Sequence, residues 1–169
     1  MAGETPLFST KQRILGAAED LFARHGFAGA SLRQVTTAAN VNLAAVNYHF
    51  GSKDNLIEEV FRRRLDELNA RRMAALRRAT ARPGTQLEDV LAAFVKPALE
   101  LSRDRGGGSA FVRVLARAYA EHNDRLRKFL SDNYGHVLKE FAAAFARLLP
   151  HMDKEELYWR RERVAGALT

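Results

Sequence analysis

Apolar residues recur at helical spacing from one end of this chain to the other, and helix-capping residues stand ahead of most runs. Ser9-x-x-Gln12 is a capping box, in which serine and glutamine satisfy each other's backbone donors; Ile14, Leu15, Ala18, Leu21 and Phe22 then share one helical face. His25-Gly26 ends that run, with glycine suited to a left-handed stop. Ser31-x-x-Gln34 opens a shorter helix with Leu32, Val35 and Ala39 inward, and a tight turn at Asn40 leads to a third, about Asn42 to His49, burying Val46. Ser52 caps a long helix to about Thr80 with Ile57, Val60, Phe61, Leu65, Leu68 and Leu76 as its stripe. Thr85-x-x-Glu88 reads as a third capping box, before a helix over Leu87–Leu101 in which Pro97 predicts a kink. Helices over Phe111–Tyr119, Leu126–Leu149 and Asp153–Thr169 follow, with a glycine-rich break at Arg105–Ser109. The pattern predicts an all-α protein with no strand.

Composition removes several kinds of chemistry. The 169 residues include no cysteine, which excludes disulfide scaffolds, thiolate zinc sites and cysteine nucleophiles. His25, His49, His122, His136 and His151 lack the spacing of a metal site, so neither metal nor cofactor is expected. Gly106-Gly107-Gly108-Ser109 lacks the lysine of a phosphate loop, and no G-x-S-x-G elbow is present. Glu121-His122 is the one acid/base pairing, against its reading as a solvated helix end; a non-enzyme is expected. No apolar run approaches a membrane span, and the first residues do not read as a secretory leader, so a cytoplasmic setting away from membranes is expected.

The net charge of +7 favours a polyanionic partner. Its placement is uneven. The excess begins at Arg62-Arg63-Arg64 and runs through Arg71, Arg72, Arg77, Arg78 and Arg82. That run reads either as a solvated helix face or as phosphate contacts.

The stretch NVNLAAVNYHFGSKDNL, Asn40 to Leu56, is where the residues carry most chemistry. Three short helices with a tight turn before the third are the ingredients of a helix-turn-helix reader of double-stranded DNA. Ala44 and Ala45 are small enough to let backbone approach a groove floor. Asn47, Tyr48 and His49 could then reach base edges and phosphates. Lys53 opens the next helix, where a cation opposes the helix dipole unless an anion lies near. The alternative for Tyr48 and His49 is packing on the long helix. For Asn47 it is a phosphate contact or a cap rather than a base.

From Lys11 to Phe61 the sequence resembles the DNA-binding domain of the TetR/AcrR family of bacterial transcription regulators. The residues are ILGAAEDLFARHGFAGASLRQVTTAANVNLAAVNYHFGSKDNLIEEVF. VNLAAVNYHFGSK looks closest to the fatty-acid-responsive repressors of that family. The resemblance implies a DNA-binding domain at 1–52 and a larger helical ligand-binding and dimerisation domain at 53–169, incomplete at its C-terminus. It implies DNA contacts from Ser31, Arg33, Asn42, Leu43, Ala44, Ala45, Asn47, Tyr48, His49 and Lys53. Asn47 departs from the aromatic residue of many relatives. A homodimer on a palindromic operator, released by a small apolar effector, a fatty acid or acyl-CoA, is what the family leads one to expect. Phe94, Leu99, Phe111, Leu115, Tyr119, Phe129 and Phe141 are candidate lining for the effector, with Arg113 and Arg117 for its carboxylate or phosphate. Each doubles as a candidate core or ion-pairing residue. The rival reading is a truncated DNA-binding module without gating that acts through heterodimers.

Overall fold

A computed structural model of the protein describes residues 9–104 and 106–149. Among these, all regular structure is helical: α1 Thr10–Gly29, α2 Leu32–Ala39, α3 Leu43–Phe50, α4 Lys53–Thr80, α5 Leu87–Arg103, α6 Gly108–Ala120 and α7 Asp124–Leu148. No helix among the described residues is long and apolar enough to cross a membrane. The helix expected over Asp153–Thr169, with Trp159, lies outside them.

Local chemistry sets the helix starts. Both serine boxes form: Gln12 N–H donates to Ser9 Oγ at 3.2 Å while Ser9 N–H donates to Gln12 Oε1 at 3.0 Å, and Ser31 and Gln34 repeat the exchange. Ser52 Oγ accepts the Asn55 N–H at 3.1 Å at the start of α4. The box expected at Thr85 does not form. The Thr85 hydroxyl instead donates back to the carbonyls of Ala79 and Arg82 at 2.8 and 2.9 Å. The helix still starts at Leu87 as expected, but with Asp89 taking the Gln86 N–H at 2.9 Å in place of the threonine box. Two neighbouring patterns competed, and orphan carbonyls at the end of α4 claimed the threonine. Further on, α5 continues past Pro97 to Arg103, and Arg72 Nε donates at 3.0 Å to the carbonyl of Phe94, three residues before the proline.

The contacts divide the chain into two units. The first holds the described residues up to Leu65 together with Ser102–Phe129; the second holds Asp66–Leu101 and the described residues from Leu130 onward. Thus α4 and α7 each contribute to both.

In the first unit, the apolar stripes read from α1 and α4 are buried. Ile14, Ala18, Leu56, Val60 and Phe61 have no exposure, and Val35 and Val46 bring α2 and α3 onto them. Phe61 lies between Phe27 and Phe111 with ring centroids 6.1 and 5.6 Å away. Leu32 is only half-buried, and Thr36 takes the inward place beside Val35, its hydroxyl donating to the Arg33 carbonyl. In the second unit, Leu76, Val90, Ala93, Val137, Phe141 and Ala144 make a separate core, with the Phe94 ring edge-on to Phe141 at 5.0 Å.

One ion pair is set inside the first unit. Glu19 of α1 is 2% exposed, and Arg64 of α4 meets it with Nη2 at 2.8 Å and Nε at 3.0 Å. The same guanidinium bonds the carbonyl of Gly106 and reaches Asp104 at 3.4 Å. Burial works against the Arg64 charge, but the bond and field of Glu19, then Asp104, outweigh it and raise its pKa. Gly107 lies against this pair at φ 101, and a Cβ there would meet Arg64 Nη2 at 2.6 Å and Glu19 Oε1 at 2.8 Å.

We expect Arg64→Met to lower unfolding free energy by about 3–5 kcal/mol, because it leaves Glu19 buried and unpaired. Glu19→Leu combined with Arg64→Met should recover most of that loss. Denaturant unfolding of the two variants checks both; equal losses would mean the pair is not what is being broken.

Candidate nucleic-acid interface

Helices α2 and α3 are each eight residues long, too short to persist alone, so tertiary packing sets their direction. Asn40 makes the turn in the left-handed region at φ 51, ψ 55, where asparagine is tolerated. The Asn40 and Val41 N–H groups donate to Thr37 and Thr36 carbonyls, closing α2. Asn42 then caps α3, its Oδ1 accepting the Ala45 N–H at 2.8 Å. That oxygen is committed, and only the amide NH2 of Asn42 is left for a phosphate.

Val46 and Phe50 anchor α3 in the core, at 1% and 5% exposure. At roughly 100° per residue, Leu43, Asn47, Ala44 and Tyr48 follow one another along a single arc of α3 that begins beside Phe50 and runs round to the side away from the anchors. All four are exposed, Tyr48 at 86%. Ala45 and His49 lie on the other flank. Ala45 is half-buried, and exposed His49 has its ring between those of Tyr48 and Phe50, at 5.1 and 6.0 Å. Of the ten residues expected to touch DNA, Leu43, Ala44, Asn47 and Tyr48 thus share one exposed arc of α3, with Ala45 and His49 next to it.

Among the described residues, the Asn47 side chain has no hydrogen-bond partner, and the Arg33 guanidinium and the Lys53 ammonium have neither a hydrogen bond nor an ion pair. Ser31 spends its hydroxyl on Gln34. Lys11, also on the N-terminal helices, is held instead by Glu59 at 3.0 Å and lies 5.9 Å from the Phe50 ring.

The residues expected to line an effector site are dispersed. Phe111 and Phe129 are buried in the first unit, Phe129 beneath the Arg62 guanidinium at 5.1 Å; Leu115 is half-buried there and Arg113 exposed. Phe94 and Phe141 belong to the core of the second unit, and Leu99 is 48% exposed on α5. Tyr119 lies in α6, its side chain outside the described set. Arg117 has other partners: Nε and Nη2 donate to the Ala23 and Arg24 carbonyls at 3.2 and 3.0 Å. Glu121, one turn on, takes the Phe27 N–H at 3.1 Å. No local pattern could have revealed these bonds, which join residues more than ninety positions apart.

Residues 14–60 match the family model described as bacterial regulatory proteins, tetR family, and residues 92–169 match the tetracyclin repressor-like C-terminal domain. The probable HTH-type transcriptional regulator YttP of Bacillus subtilis is 40% identical over 52 residues, 31% of this chain and 25% of that protein. The HTH-type transcriptional repressor AcnR of Corynebacterium glutamicum is 40% identical over 55 residues, 32% of this chain and 29% of that protein. The chain thus spans under a third of the length of these two relatives. A Shewanella crystal structure assigned to the tetR family superposes with a TM-score of 0.68 at 18% identity, covering 95% of this chain and 82% of that one, which is a likeness of fold. The fatty-acid-responsive subgroup is not singled out by these matches. With helices as the regular structure of its described residues and both models matching in order, the chain carries the N-terminal domain of the tetR family of regulators followed by a tetracyclin repressor-like C-terminal domain.

Proposed function

We propose that this protein is a cytoplasmic repressor that binds a palindromic operator as a homodimer and releases it when a small acyl compound binds. The observation that carries the DNA-reading part is the exposed face of α3. Leu43, Ala44, Asn47 and Tyr48 stand out from a short helix anchored by Val46 and Phe50. Arg33 and Lys53 flank it with uncommitted charge. A reader this small contacts few base pairs, so selectivity against a genome calls for two copies on related half-sites.

Arg33 and Lys53 have the character of phosphate contacts and Asn47 that of a base contact. An asparagine can pair with adenine through N6 and N7, worth about 1–3 kcal/mol of discrimination. Its lack of an intramolecular partner favours this over a capping role. For the effector, the proposal rests on the family's C-terminal domain and the apolar α5–α7 cluster around Phe94 and Phe141. Arg113, exposed on α6, is a candidate for its carboxylate; Arg117 is not, since its guanidinium holds α1.

Arg33→Ala and Lys53→Ala should each weaken binding to every duplex and lower the slope of log affinity against log salt by about one unit. Filter binding across a salt series measures this, and unchanged slopes in both variants would remove the phosphate assignment. Asn47→Ala should instead relax selectivity at one position per half-site, read by selection from a random-sequence duplex pool. A loss spread evenly over all sequences would make Asn47 a backbone contact. Long-chain fatty acids or their acyl thioesters, added to the protein–operator complex, should release the DNA. Indifference to the whole panel would sink the acyl effector and leave the DNA-reading proposal standing.

A further inference from the structure

The helix-turn-helix α2–α3 joins the rest of its unit through two junctions, one where α1 hands over to α2 and one where α3 hands over to α4. Both are held by the same distant segment, the end of α6 and the start of α7. At the first junction α1 breaks at Gly26, φ 73 and ψ 175, and one further turn leads to Ala30. Arg117 occupies the Ala23 and Arg24 carbonyls before the break, and Glu121 takes the Phe27 N–H just after it. A Cβ at residue 26 would collide with the Glu121 carboxylate, so the break and the clamp fit one another.

At the second junction, Asn55 Nδ2 donates at 2.8 Å to the carbonyl of Phe50, the last residue of α3. Its Oδ1 accepts from Arg125 Nη2 at 2.6 Å. Arg125 also bonds Glu58 at 2.8 Å and Asp54 at 3.4 Å, across the first turn of α4 that carries Lys53. Between the two clamps the chain turns tightly, with Asn123 capping α7 by accepting the Leu126 N–H at 2.9 Å. Arg117, Glu121 and Arg125 thus bracket the reading pair at both ends, from a segment of nine residues.

We infer that Arg117, Glu121 and Arg125 are positioning residues for operator recognition: they fix the direction in which α3 presents Asn47 and Tyr48 without touching DNA themselves. The inference rests on the DNA-reading proposal and adds a site to it. Arg125 is the informative member. It is half exposed and already faces Asp54, Asn55 and Glu58, so its removal leaves no buried charge behind. Positioning predicts weaker operator binding with the salt slope kept, since no phosphate contact is lost.

The test uses the best duplex selected on the wild-type chain, with affinity measured across a salt series and melting followed by circular dichroism. We expect Arg125→Ala to weaken binding about two- to thirtyfold, with slope and melting temperature close to wild type. Glu121→Ala should weaken binding similarly, and Glu121→Gln, which still accepts from Phe27, should restore most of it. A slope lower by about one unit in Arg125→Ala would make Arg125 a phosphate contact and overturn the inference. Wild-type affinity in both alanine variants would overturn it too, leaving surface ion pairs. Should either variant melt early, the Glu121→Gln comparison decides: loss of affinity that tracks melting temperature overturns positioning, and loss at unchanged melting supports it. A wild-type chain that selects no duplex overturns the DNA-reading proposal itself, an outcome distinct from all of these.

Discussion

Glu19 sits on the buried face of α1, among residues that exclude water, and a carboxylate there needs a cation with both oxygens engaged. Arg64 supplies it from α4, two bonds to the carboxylate and a third to the carbonyl of Gly106. Three segments distant in sequence are thereby fixed at one point: the middle of α1, the middle of α4 and the turn before α6. The close approach requires a residue without a side chain at Gly107, which also begins α6 from a conformation that other residues rarely adopt. With the start of α6 set there, its far end reaches the break in α1. The pair is weak evidence for stability, since an apolar pair of similar volume can serve as well; what it adds here is a common anchor for three segments.

Legibility in the sequence followed the range of the interactions. Capping boxes join residues three apart, so Ser9 and Ser31 could be read directly, and the apolar stripes of α1 and α4 followed from spacing alone. Thr85 misled because two local partners were available and the choice depended on where α4 stopped. The exposed face of α3 was half legible. Asn47 and Tyr48 stood out by type and Leu43 came only with the family resemblance, but the placement of His49 and Ala45 on the flank follows from which side Val46 and Phe50 bury. Arg117 was illegible in a deeper sense. As a cation on an amphipathic helix it fits a ligand, a carboxylate or a helix end equally well, and only the fold brings α1's carbonyls to it.

The boundary between modules shows the same contrast. By sequence, the tetR-type N-terminal match ends at residue 60 and the C-terminal match begins at residue 92. By contact, Ser102–Phe129, all of it inside the C-terminal match, belongs with the first 65 residues. Sequence models follow what is inherited together, whereas contacts follow what is buried together. Here Phe111 and Val114 of α6 complete the core in which α1 and α4 bury Phe22 and Phe61. A reading head cut at residue 52 would lose Phe61 as well as those side chains, and with Phe61 the ring that lies against Phe27.

That arrangement also separates strength from direction. The core of the first unit is apolar, and the Glu19–Arg64 pair is well enclosed in it, so it resists small changes of shape. The bonds at the two junctions of α2–α3 are of another kind. Arg117, Glu121 and Arg125 are half-buried or exposed, and exposed ion pairs add little net stability because water competes for both partners. Contacts of that type can be exchanged for water at small cost while the core stays intact. A head whose interior is stiff and whose junctions are held by exchangeable bonds can shift the aim of α3 without unfolding, which is what the release proposed above calls for.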